Sequence, residues 1–311
     1  MNIGIIGRSE LLYNTAEFLI DKGHTIKLII TAKEAPEYTK TSDDFERLAN
    51  KVGAEYLFTN KIDEQDRTNF IKNIGCLDAG ISVNYVNIIS QEVIDLFSCG
   101  ILNAHGGDLP KYKGNACQAW AIINGEEKIG LCIHKMIGGE MDSGDIITKD
   151  YLNININTKI ADTHNWMYNR IPELFLESLS KLEKDKDYFL GKPSDKPEDT
   201  LRCYPRFPED GKIDWKQSSI EILRLINASG NPYSGAFCKF RGEYLIIWDA
   251  EIYEDDEKYC ATPGQVSHVD KKNGYIVVIT GNGKLRVNEI GYCNFKGNPG
   301  EIINSIRNRL S

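Results

Sequence analysis

Up to His105 the chain alternates short apolar runs with helical periods, and this alternation restricts the fold more than any other feature. "NIGIIG" and "HTIKLIIT" are apolar runs of strand length. Between them Leu12, Ala16, Leu19 and Ile20 recur at helical spacing behind Ser9, a residue type that caps helices. Strand, helix and strand in so short a span predict a parallel βαβ unit, because parallel neighbours need a crossover. The pattern continues through a helix near 43–52, "EYLFT", a helix near 63–74, "DAGISV", a helix near 91–97 and "GILNAH". A helix near 116–123, strands at "KIGLCIHKM" and "GDIITKDYL" and a long helix near 160–182 complete this region. The expected class is α/β, a doubly wound, Rossmann-like and mostly parallel sheet. Ligands of such sheets lie beyond the carboxyl ends of the strands.

The segment "EKDKDYFLGKPSDKPEDTLR" is charged, Pro-containing and aperiodic, which reads as a connection. The expected division is a catalytic domain over 1–185, a linker over 186–203 and a second domain over 204–311. In the second domain a single helix, "SIEILRLINA", precedes "GAFCKF", "EYLIIWDAEI", "GYIVVIT" and "KLRVNEI", with Gly-bearing turns between them. Short strands at this spacing predict a small antiparallel barrel or sandwich. A closing helix is expected over 299–310.

Composition narrows the function classes. Of 311 residues 41% are apolar and 26% charged, an ordinary globular mixture with ample core. A net charge of −8 argues against gripping a phosphate backbone by bulk charge, so nucleic acid is not an expected partner. The start lacks a basic stretch leading into an apolar signal core, and no run of about 18 apolar residues follows, so no membrane is expected. The 8 cysteines stand singly, with neither a CxxC pair nor zinc spacing. They read as reduced thiols of a cytoplasmic protein without a metal.

Two motifs bear on chemistry. "GIIGRSE" has no third glycine, and no acidic residue closes the second strand, so a plain strand-to-helix turn explains it better than a dinucleotide site. "NAHGGDLPKYKG" differs. Asn103 and His105 close a buried strand two residues apart, so both side chains point the same way. Asp142, in "EMDSGDII", follows after enough chain for a helix and a strand to return it beside His105. Together they make an acid/base and oxyanion constellation. The same residues also fit a plain role, with Asn103 and His105 satisfying loop backbone and Asp142 capping a turn. No Ser or Cys sits in a nucleophile elbow, which disfavours covalent acyl transfer. His134 and His164 read as core or surface residues, not metal ligands.

At these residues the sequence resembles the formyltetrahydrofolate-dependent formyltransferases. The shared signature is Asn-x-His at a strand end, a Leu-Pro, a Tyr-basic-Gly and a later Asp in D-x-G-x-[IL]. Here these are Asn103 and His105, Leu109-Pro110, Tyr112-Lys113-Gly114, and Asp142 in "DSGDI". "VNYVNIIS" looks like the family's folate-facing loop, and "YPRFPEDGKIDW" and "NPYSGAF" look like the entry to its C-terminal OB-like barrel. Three departures stand out: Gly106-Gly107 after the His, Lys113 in place of an Arg, and Cys117 where many members have Pro.

The resemblance implies catalysis by Asn103, His105 and Asp142. It implies contacts to the co-substrate formyltetrahydrofolate from Tyr85, Ile88, Ile89, Gly138, Gly139, Glu140 and Met141. It implies acceptor contacts from Lys111, Tyr112, Trp120, Tyr204, Arg206 and Tyr233. The branch it is most similar to is the nucleotide-sugar N-formyltransferases. The implied acceptor is therefore a UDP- or dTDP-linked amino sugar, an amino-dideoxyhexose of the pseudaminic type among them. The tRNA-specific enzymes carry a basic insertion after the second strand, where this chain has the short, mixed-charge "TAKEAPEYTKTSDDFERLANK". Methionyl-tRNA formyltransferase and formyltetrahydrofolate hydrolase are the alternatives, and a homodimer stays open.

Overall fold

The computed structural model describes residues 1–194 and 196–311; Asp195, inside the segment expected as a linker, lies outside the described residues. In strand β1 (Asn2–Gly7) Ile3 and Ile5 face one core and Ile6 faces another, as a strand buried on both sides must. The chain then runs through α1 (Glu10–Asp21), β2 (Thr25–Thr31), α2 (Ser42–Val52), β3 (Glu55–Phe58) and α3 (Gln65–Asn73). Next come β4 (Ala79–Val83), the single turn α4 (Gln91–Ile94), β5 (Ile101–His105) and the short β6 (Lys113–Gly114). They are followed by α5 (Cys117–Asn124), β7 (Lys128–Lys135), β8 (Ile146–Asn153), α6 (Ile160–Lys184) and β9 (Arg202–Cys203).

The main sheet has seven strands in the order β3-β2-β1-β4-β5-β7-β8. β1 to β5 pair in parallel, and β7 joins β5 antiparallel. Leu12 and Leu19 of α1, Phe45 and Leu48 of α2, and Phe175 and Leu179 of α6 cover one face. Ile71 of α3, Val93 of α4 and the following Phe97 cover the other. The sheet is doubly wound, as the alternation predicted. Ser9 does precede α1, but at φ 88° its hydroxyl caps no helical N–H and is buried without a partner among the described residues.

A second compact unit holds α7 (Ser219–Ser229), whose Ser218 accepts from the Glu221 N–H in a capping box. Its antiparallel sheet is built from β10 (Ala236–Phe240), β11 (Glu243–Tyr253), β12 (Val266–Asp270), β13 (Tyr275–Ile279), β14 (Lys284–Tyr292) and β15 (Phe295–Gly297). Ile222, Ile247, Val278 and Leu285 lie in its core.

Two expectations differ from the structure. The compact units are not consecutive in sequence: Gln118–Lys128 and Asn153–Thr163 belong with Tyr204–Ser311, not with the first unit. The reason lies in where their polar groups find partners. Ile154 N–H donates to the Glu127 carbonyl at 2.9 Å, Asn227 Nδ2 to the Ile156 carbonyl at 2.8 Å, and Lys159 pairs with Asp249. The closing helix is only one 3-10 turn at Pro299–Glu301. Beyond it the backbone is drawn out by bonds from Leu310 N–H to the Gly264 carbonyl and from Ser311 N–H to the Lys239 carbonyl. Among the described residues no helix is long and apolar enough to cross a membrane.

Phe175 is fully buried between α6 and the sheet. Phe175→Ala is expected to cost about 3–5 kcal/mol, read as a lower urea midpoint at unchanged slope. A cost near zero would show that this face of the sheet is not the core described here.

Candidate active site

β5 ends with Asn103 and His105 on one face, and its antiparallel neighbour β7 sets His134 directly opposite Asn103 and Cys132 opposite His105. Residues paired across two strands share a face, so His134 joins the pair. Asn103 Nδ2 lies 3.3 Å from His134 Nε2. Asp142 comes in from the turn between β7 and β8, at φ 50°, a left-handed backbone that Asp adopts more readily than most residues. Its Oδ2 lies 3.5 Å from His105 Nδ1 and its Oδ1 lies 3.5 Å from His134 Nε2. The carboxylate is anchored by the Gly114 N–H, which donates to Oδ2 at 2.9 Å.

The loop after β5 folds back over the imidazole. His105 Nε2 lies 2.6 Å from the Tyr112 carbonyl, and Cys117 Sγ donates to the same oxygen at 2.9 Å. Tyr112 has φ 55°, an outlier for a bulky side chain, and its carbonyl is turned inward to these two donors. Gly107 makes the close return possible: a Cβ there would stand 2.3 Å from the Tyr112 oxygen and 2.5 Å from His105 Nε2. On its far side the loop is tied to β8. Asp108 pairs with Lys149, accepts from the Tyr151 hydroxyl at 3.0 Å, and Lys149 also donates to the Leu109 carbonyl at 3.0 Å.

Burial pushes the His105 pKa down, against the upward pull of Asp142 and of the Tyr112 carbonyl, and the net direction is down. The ring is therefore neutral at neutral pH, with its proton on Nε2 facing Tyr112. For Asp142, burial acts to raise the pKa, but at the low pH where it titrates the proton-bearing rings of His105 and His134, with the Gly114 N–H, hold it well below the usual carboxylate range. An ionised carboxylate thus waits beside an unprotonated Nδ1. If His105 takes up a proton, both its nitrogens face acceptors. The Cys203 thiol and burial push Cys117 up, so it stays a thiol.

The other expected site residues divide clearly. The segments 84–90 and 137–141 are brought together, since Gly139 N–H donates to the Ile89 carbonyl at 3.2 Å and Gly138 N–H to Gln91 Oε1 at 2.9 Å. Ile88 is exposed, and Glu140 N–H closes its turn on the Ile137 carbonyl, beside Met141. Tyr85 donates its hydroxyl to the Thr59 carbonyl at 3.1 Å, and burial pushes its pKa up to about 12. Ile89 corrects the expectation: its side chain is fully buried among Ile6, Val93 and Phe97, so it supports the loop from behind.

Lys111 is exposed on the loop, whereas the Tyr112 ring is buried and its carbonyl faces His105. Trp120, Tyr204, Arg206 and Tyr233 belong to the second unit. There Trp120 Nε1 donates to the Tyr204 carbonyl at 2.9 Å, and Arg206 lies over the Trp120 ring. Arg206 Nη1 and Nη2 donate to the Ala228 and Asp210 carbonyls and to Ser229 Oγ, bracing backbone of its own unit, while its Nε is buried without a partner among the described residues. Tyr204 and Tyr233 present exposed rings. His134 escapes a reading of the sequence; the signal that finds it is its register opposite Asn103, which needs the β5–β7 pairing. Among the described residues no group of three His, Cys, Asp or Glu side chains could hold a metal ion.

An NMR titration of His105 is expected to give a midpoint below the ordinary value of about 6.5. Asp142→Asn removes an upward pull and is expected to lower that midpoint further. A midpoint above the ordinary value would reverse the burial argument. By linkage, a depressed histidine pKa contributes stability that is present above the unfolded value and lost as pH falls from there through the folded value. The depressed Asp142 carboxyl adds a loss at still lower pH.

Known proteins share this geometry's frame. Residues 1–180 match the family Formyl transferase, and residues 207–307 match Formyl transferase, C-terminal domain. Methionyl-tRNA formyltransferase of Clostridium tetani (strain Massachusetts / E88) is 30% identical over 298 residues, covering 94% of this chain and 92% of that one. Among solved structures, WlaRD, a sugar 3N-formyl transferase crystallised in the presence of dTDP and 5-N-formyl-THF, superposes with a TM-score of 0.67 at 18% identity. It covers 95% of this chain and 98% of that one. HypX from Aquifex aeolicus, in complex with tetrahydrofolic acid, gives a TM-score of 0.62 at 17% identity over 98% of this chain; the match spans only 47% of HypX. The structural likenesses speak to the fold. The family match, whose N-terminal segment alone covers more than half of the chain, decides membership: the chain belongs to the formyl transferase family and is a formyltransferase.

Proposed function

We propose that the chain moves a formyl group from formyltetrahydrofolate to a primary amine, with Asn103, His105 and Asp142 as the catalytic residues. The observation that supports this reading is the convergence of those three polar groups at one strand end in a formyltransferase. The neutral amine attacks the formyl carbon, a C–N bond forms, and the carbonyl electron pair moves onto oxygen. The Asn103 N–H meets that oxyanion in a partly buried site where such a bond counts for more than in water. Collapse restores the carbonyl and breaks the bond to the folate nitrogen. A proton must pass from the attacking amine to that nitrogen. Neutral His105 can take it up and hand it to the departing nitrogen, because the transient imidazolium lies between the Asp142 carboxylate and the Tyr112 carbonyl. The segments carrying Tyr85, Ile88 and Gly138–Met141 are the candidates to hold the folate.

For the acceptor we favour the amine of a UDP- or dTDP-linked sugar. A tRNA is held through many Lys or Arg contacts to phosphate, whereas this chain has a net charge of −8 and a mixed-charge segment at 31–51. Within the first unit, the exposed Lys111 on the loop after β5 is the candidate to meet the nucleotide's phosphates. The methionyl amine of a charged tRNA is the second reading. The near full-length likeness to methionyl-tRNA formyltransferases favours it, and in sequence that likeness is stronger than the one to the sugar enzyme.

Formyl transfer from formyltetrahydrofolate, assayed against UDP- and dTDP-amino sugars and methionyl-tRNA, separates the two. The expected result is turnover of an amino sugar with little dependence on salt. Turnover of tRNA alone, falling steeply as salt rises, would install the second reading, and turnover of neither would sink both. With the working acceptor, Asn103→Ala, His105→Ala and Asp142→Asn are each expected to lower kcat by about 100-fold or more with the fold retained, read as an unchanged circular dichroism spectrum at the assay temperature. Near-full turnover by His105→Ala would remove it from the mechanism.

A further inference from the structure

We infer that His134 is a positioning residue, one that fixes which end of the Asn103 amide faces the formyl oxygen; this rests on the proposed role of Asn103. His134 is almost fully buried, 2% exposed, and its ring packs edge-on against His105 with centroids 6.4 Å apart. His134 Nδ1 lies 2.9 Å from the Lys135 carbonyl, which can only accept, so Nδ1 carries a proton. In the neutral ring Nε2 is then an acceptor, and the group 3.3 Å away must offer it a hydrogen. Asn103 can do so only with its NH2 end. One of those two hydrogens is spent on His134, and the other is left for the substrate.

The other ring states undo this arrangement. An Nε2–H tautomer turns a hydrogen toward Asp142 Oδ1, 3.5 Å away, but sets a lone pair against the Lys135 carbonyl at 2.9 Å and a donor against the Asn103 NH2 at 3.3 Å. A doubly protonated ring keeps Lys135 and gains Asp142 Oδ1, 3.5 Å away, but turns the Asn103 amide over so that its oxygen faces the histidine. The amide end shown to the formyl oxygen would then be set differently. The register Asn103 opposite His134 makes the two side chains inseparable, and His134 acts through Asn103 without reaching the reacting atoms.

Two measurements test this. Nitrogen NMR of histidine-labelled protein at the assay pH is expected to report the Nδ1–H tautomer for His134; an Nε2–H tautomer or an imidazolium would overturn the inference without any turnover being measured. The second is kinetic, with whichever acceptor the panel identifies. His134→Gln places a side-chain oxygen where Nε2 stood, while His134→Asn reaches only as far as Nδ1. His134→Asn is expected to lower kcat by roughly 10- to 100-fold with the folate KM unchanged, and His134→Gln to restore most of it. In an Asn103→Ala background His134→Asn is expected to cost almost nothing more, because the contact it removes is already gone. Equal losses in the Gln and Asn variants, or a full further loss in that background, would mean that His134 only packs. Wild-type turnover by Asn103→Ala itself would instead sink the proposed role of Asn103, and this inference with it.

Discussion

The Asp142 carboxylate is the group on which the site's arrangement depends. It is nearly buried, accepts from the Gly114 N–H, and stands beside both His105 and His134. Three separate stretches therefore meet at two oxygens: the end of β5, the loop returning from it, and the strand that pairs with it. A buried charge left unpaired is costly, so whatever removes one of these partners burdens the others. This explains why strained backbone collects here. Tyr112 and Asp142 both take left-handed conformations, and the Tyr112 carbonyl receives two donors in return.

The frame that presents this carboxylate is ordinary. Alternating apolar residues bury β1 on both faces, and helices covering the two faces make the parallel sheet stable without exposed edges at its centre. That frame is legible from Ile3, Ile5, Ile6 and the recurrence of Leu12, Ala16 and Leu19, because burial on a sheet or helix face obeys a fixed period. Where no period operates, the sequence is silent. The closing segment has helix-length spacing of Ile303 and Leu310, yet its backbone bonds to Gly264 and Lys239 instead. The interleaving of 118–128 and 153–163 with the second unit leaves no trace either, since partners such as Glu127 and Ile154 are set by pairing across long stretches of chain.

The site is legible to a similar degree. Asn103 and His105 follow from the two-residue period of a strand, and Asp142 from the length of chain that returns it beside His105, with the resemblance adding to that reading. His134 is missed because a lone histidine in an apolar strand most often belongs to the core. Arg206 looks like a phosphate ligand because a guanidinium near aromatics fits that role, but in the structure its Nη1 and Nη2 donate to three oxygens of its own unit. Ile89 sits in a loop with the right neighbours and points into the core.

The sequence by itself determined the alternation that builds the sheet and the strand end that carries Asn103 and His105. These are local properties, decided by side-chain period. Only the tertiary structure decided that β7 runs antiparallel beside β5, which sets His134 against Asn103, and that the loop carbonyl of Tyr112 closes on His105. Register between strands is chosen by the burial of whole faces. No single stretch of residues encodes it.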